Sequence, residues 1–298
     1  HYMDEKAVNR YKTQKLSTES EKYASFLHCI YQYRQCVGGR PHFNRAAEMA
    51  LGYVSFTTIF PEKMDDNLDI TCSLPFYHPI IGQICAQAGY SHELVEKFGG
   101  VYNKLYFKNR IIQQLRKNEP IIFHGSPYGR RWHLLIGYKE SEDSIQYLSD
   151  QGIVESADWY DFMDEFVLMN DDLPDQRLNI GIRSIIRQAL INKTRKIPGF
   201  YMDEDAYKIW MSLNADSDRC LNRLLIKRMF FARRNVYQLL MQFLIQCPDA
   251  FSRLSPALNA IKRLLLLESE GNLFLKQRVQ QMIDIDCQLM EMLIHEFI

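Results

Sequence analysis

The sequence predicts an α+β protein: a mixed half holding an antiparallel sheet, roughly residues 4–172, followed by an all-helical half, roughly 173–298. Three observations carry this. Eleven of the fourteen glycines lie between Gly38 and Gly152, so turns concentrate in the first half. Short β-rich runs cluster between residues 120 and 148, while apolar residues beyond Asp175 recur at three- and four-residue intervals. The chain has 298 residues, 47% hydrophobic and 24% charged, which suits about two packed domains and excludes a disordered polymer.

Taken in order, the first element is a helix over Cys29–Cys36, closed by Gly38-Gly39. Three strands follow, over 120–124, 133–138 and 144–148, joined by the Gly/Pro-rich 125–131 and the charged 139–143. Asp171, Asp172, Pro174 and Asp175 mark the expected boundary. Beyond it Ile182, Ile185, Ile186 and Ala189 share one helical face, and Asp203 is placed to cap a helix through Trp210. Ser217 or Asp218 is placed to cap a long helix through Leu244. Pro256 is expected near a helix's first turn, and Asn272 opens an amphipathic stretch through Ile294.

Thirty-six basic and thirty-six acidic residues cancel, which argues against a nucleic-acid partner. Seven cysteines without a CxxC pair read as free thiols in a reducing compartment. The first twenty residues lack the apolar core of a signal peptide, and no apolar run is long enough for a membrane span; a cytoplasmic protein is expected, with Met3 as its native start. No HExxH, EF-hand or phosphate-loop spacing occurs, so neither metal nor other cofactor is expected.

The most informative pair is Cys29 with His133. A thiol becomes a nucleophile when something lowers its pKa or takes its proton. Heading a helix, Cys29 would feel the positive end of the macrodipole; His133, opening an apolar strand, would serve as base. Asp150, at the end of the next strand, would fix the imidazole tautomer. His124 ends the neighbouring strand and is expected to face the same cleft, with His28 lining it. Arg131, beside the 125–130 turn, could hold an anionic acyl group. The competing reading is a packed thiol, since cysteine is among the most buried residue types. Lys227-Arg228 and Arg233-Arg234 read as a wet face that could receive an acidic helix such as that of an acyl carrier protein.

Phe26-Leu27-His28-Cys29, Ala50 through Phe56, and His133-Leu134-Leu135-Ile136-Gly137-Tyr138 with Tyr147-Leu148-Ser149-Asp150 together resemble the butirosin biosynthesis protein H type N-terminal domain. That domain is related to papain-like and bacteriocin-processing peptidase domains. Arg233 through Leu244 resembles the family's C-terminal helical region. The resemblance implies a papain-like fold and a cysteine-dependent acyltransferase that moves an acyl or aminoacyl group from a carrier-protein thioester to a small-molecule amine in natural-product biosynthesis. Cys29 would be the nucleophile, His133 the base and Asp150 the orienting acid. Tyr23 stands where papain-like enzymes place a glutamine, so backbone amides at the helix start would stabilise the oxyanion. His124 stands at a position where an acid is usual, which bears on acceptor choice. A peptidase or amide hydrolase using the same triad, and a non-catalytic binding protein, are the alternatives; a homodimer is compatible with either.

Overall fold

A computed structural model describes residues 24–37, 45–63, 68–72, 76–97, 101–125, 131–148, 154–158, 160, 163–170, 181–213, 218–269 and 276–298. In chain order, α1 (Ser25–Val37) and α2 (Arg45–Leu51) precede β1 (Ile59–Pro61). Next come α3 (His78–Ala88), β2 (Ser91–Glu96), α4 (Val101–Arg116), β3 (Ile121–Gly125), β4 (Arg131–Lys139), β5 (Ser144–Leu148), β6 (Val154–Asp158) and β7 (Met163–Asn170). The remainder holds α5 (Ile182–Asn192), β8 (Phe200–Met202), α6 (Glu204–Ser212), α7 (Arg219–Gln246), α8 (Phe251–Leu266) and α9 (Lys276–Phe297).

The chain forms two compact units, one from residues 1–43 with 77–178 and the other from 44–76 with 179–298. The single boundary expected near 172 is therefore corrected: residues 44–76 are packed with the C-terminal helices, although their composition resembles that of the mixed half. The class itself, an antiparallel sheet with a helical C-terminal region, is as expected.

In the first unit six antiparallel strands are ordered β2-β7-β3-β4-β5-β6. β3 is buried throughout and β4 at all but its end residues, because helices cover both faces; this is why both read as continuous apolar runs. Side chains directly opposite each other in antiparallel strands share a face, so the registers sort the residues. Phe123, His133, Phe166 and Val95 are on one face; His124, Trp132, Glu165 and Glu96 are on the other. α4 packs on the first, where the Phe107 and Phe166 rings are 4.6 Å apart. α1 and α3 pack on the second, through Phe26 against Trp132 at 5.0 Å and His78 against Glu165. A bulge after Leu135 brings Gly137 opposite Gln146, and a Cβ there would lie 2.7 Å from the Gln146 amide oxygen.

The second unit encloses a loop over 52–58 that is buried throughout. Tyr53 sits at φ 63, in the left-handed region. Buried carbonyls need donors. Ser55, Phe56 and Thr57 receive them from Arg233 Nη1, Lys193 Nζ (3.4 Å) and Arg228 Nη1 (3.1 Å), three cations on three consecutive carbonyls. Arg233 also pairs with Asp286, Nη2 to Oδ2 at 2.7 Å, both side chains being without solvent exposure. Tyr207 Oη donates to the same carboxylate. β1 and β8 form a short antiparallel ribbon beside this network.

The helical elements follow the periodicity with local corrections. Asp218 occupies the cap position of α7 and Asp203 that of α6, yet neither side chain makes a capping bond. Asp203 is used elsewhere, accepting from the Thr58 amide (3.1 Å) and pairing with Lys193. Pro256 lies inside α8 rather than in its first turn. The Ser252 carbonyl that proline cannot serve accepts instead from Ser255 Oγ at 3.2 Å. Asn272 and the 171–175 cluster lie outside the described residues.

Candidate functional site

α1 begins at Ser25, four residues before the expected start, because Phe26, Cys29, Ile30 and Tyr33 continue one buried stripe from the first turn. Cys29 is consequently one turn inside the helix. The macrodipole acts mainly on the first turn, so the electrostatic activation expected at a helix head is weaker here. The Cys29 thiol is buried, with 2% of the residue exposed, and so is His28 beside it. Ser25 Oγ accepts the Trp132 backbone N–H at 3.1 Å, which fixes the first turn of α1 to β4 one residue before His133.

His133 is 7% exposed and sits between two rings, Phe123 and Tyr147, each 5.3 Å away centroid to centroid. Its side chain projects to the α4 face, whereas the ring contacts of α1 are on the opposite face. Strand alternation is the reason: Trp132 and His133 must point opposite ways. The described pairing of β5 with β4 ends at Leu148 and Leu134, and Ser25 occupies the edge of β4 beyond that point. Cys29 and His133 thus belong to touching elements, joined at the start of β4. His124 is corrected by the same alternation: it shares the α1 face with Trp132 and does not face the same way as His133. Arg131 is the first residue of β4, half-buried. Tyr23 and Asp150 lie outside the described residues.

The structure brings together a cluster that the sequence reading missed. His78, in the first turn of α3, places Nε2 2.9 and 3.0 Å from the two carboxylate oxygens of Glu165. Its Nδ1 is 3.8 Å from Glu96 at the end of β2. Burial raises the Glu165 pKa, and the His78 imidazole opposes that rise. His124, directly across from Glu165 in the register, has Nδ1 3.4 Å from Asp164. The available signal was Glu165 itself, an acid preceding the apolar run 166–169.

The basic run of α7 is also redistributed. Lys227 is exposed and Arg234 pairs with Glu268 at 2.8 Å, but Arg228 and Arg233 are core residues. Half of the charge assigned to a wet docking face is instead consumed inside the second unit. Among the described residues no helix is long and apolar enough to cross a membrane. In comparisons with known proteins, no family model matches the chain and no curated protein matches it.

Proposed function

We propose that the protein is a cysteine-dependent acyl-transfer enzyme with a papain-like first unit, in which Cys29 attacks an acyl thioester, His133 takes the thiol proton and gives it to the leaving thiol, and an amine then receives the acyl group. The observation that supports this best is the bond from the Trp132 amide to Ser25 Oγ, which seats the helix of Cys29 on the strand of His133. Formation of the acyl-enzyme breaks the thioester C–S bond and makes one to Cys29; the amine nitrogen then displaces Cys29, losing a proton to His133. Asp150 as orienting acid, and a carrier protein as donor, belong to the same proposal.

The experiment is intact-mass and peptide mass spectrometry after incubation with a simple acyl thioester, with and without an amine. The expected result is one acyl group on Cys29, lost in Cys29→Ser, formed about 100- to 10,000-fold more slowly in His133→Ala, and discharged faster by amine than by water. Acylation spread over the exposed Cys220, Cys247 and Cys287 with none on Cys29 overturns the proposal. Discharge indifferent to amine assigns hydrolysis instead. The burial of both side chains favours a second reading, a non-catalytic binding unit with Cys29 as a packed thiol; a chain inert to the thioester at every cysteine is its signature.

A further inference from the structure

The geometry points to a divalent metal site in the first unit, made by His78, Glu96 and Glu165. We infer that it takes a first-row transition ion bound by one imidazole and two carboxylates. The donor atoms of these three residues all lie within 4.8 Å of one another. Two ligands each about 2.1 Å from one ion and at right angles to each other are about 3 Å apart, and the His78 Nε2 to Glu165 oxygen distances of 2.9 and 3.0 Å match that spacing. Glu96 is the outer ligand. Its side chain is 54% exposed and can rotate inward, whereas Glu165 is 5% exposed and held by its strand.

The reason to place a cation here is the cost of the buried carboxylate. An ionised group so far from water needs a partner charge. His78 on α3 is within hydrogen-bond distance of Glu165 and His124 on β3 is across from it in the register, while Glu96 and Asp164 add negative charge. A proton shared with His78 is one solution. An ion replacing the proton on Nε2 is the other, and it would also draw Glu96 into the cluster. Mixed nitrogen and carboxylate donors without thiolate suit zinc, iron(II), manganese or cobalt. The site does not depend on the cysteine chemistry proposed above.

Cobalt(II) is the probe, titrated at pH 7.5 into the chelator-stripped 298-residue chain, with calorimetry for stoichiometry and absorption for donor type. One ion per chain is expected, with no thiolate charge-transfer band, and Glu96→Ala and His78→Ala should each weaken binding at least about ten-fold. Glu96 is exposed enough that its variant should fold whether or not the His78 variant does. No binding at one equivalent, a thiolate band, or an affinity unchanged in Glu96→Ala overturns the site.

Discussion

Asp286 is ionised where no water reaches it, and its surroundings explain how. Burial alone would raise its pKa, but the Arg233 guanidinium alongside, the Tyr207 hydroxyl and Lys193 more than reverse that and hold it below the usual carboxylate range. A carboxyl with a depressed folded-state pKa contributes stability above its unfolded pKa and loses it as pH falls through the folded value. Asp286→Asn leaves a buried guanidinium without its counter-charge, so unfolding by denaturant at pH 7 should show a loss of about 3–5 kcal/mol. The gap between wild type and variant should then narrow on acidification below the ordinary carboxylate range. A constant gap down to the acid transition would show that the charge is not the source of the stabilisation. Glu165 runs the other way: its pKa is raised, so its ionisation opposes folding as pH climbs past the unfolded value, and a bound cation would cancel that loss.

At the scale of elements, α8 carries an interior proline whose cost is only partly offset by the Ser255 hydroxyl. Pro256→Ala should stabilise the chain by about 1–3 kcal/mol, the upper figure being the full penalty of an interior proline and the lower allowing for the freer unfolded chain; a drop in stability would mean that the ring's packing outweighs the lost bond. β3 and β4 were legible because burial on both faces leaves long apolar runs, and β5 because Ile145 and Tyr147 alternate with polar residues. β2 and β6 carry Glu93, Glu155 and other polar residues that break the pattern, whereas β7 does hold the apolar run 166–169, preceded by acids, and was passed over. Register is not written in composition, so the face of His133 could not be read. The pairing of His78 with Glu165, 87 residues away, depends on which strand lies between which, and no local pattern encodes it. The start of α1 was missed because Phe26 was read as part of a motif rather than as the first rung of its buried stripe.

For the whole molecule, the two units do not divide where the composition changes. Residues 44–76 supply α2, the buried 52–58 loop and β1 to the C-terminal unit. A fragment ending at 172 therefore keeps the loop but loses Lys193, Arg228, Arg233 and Asp286. Such a fragment should bind hydrophobic dye strongly, and amides over 45–61 should exchange at rates near those of an unstructured chain. Protection of 45–61 equal to that in the full chain would refute the division. The bond from Thr58 to Asp286 spans 228 residues of sequence. At about 5–20 residues per second, a ribosome needs on the order of 10–50 s to make that stretch. For the first three-quarters or so of that interval the nascent 52–58 segment lacks its guanidinium donors, which are 171 and 178 residues downstream, so water must serve its carbonyls until α7 has been made.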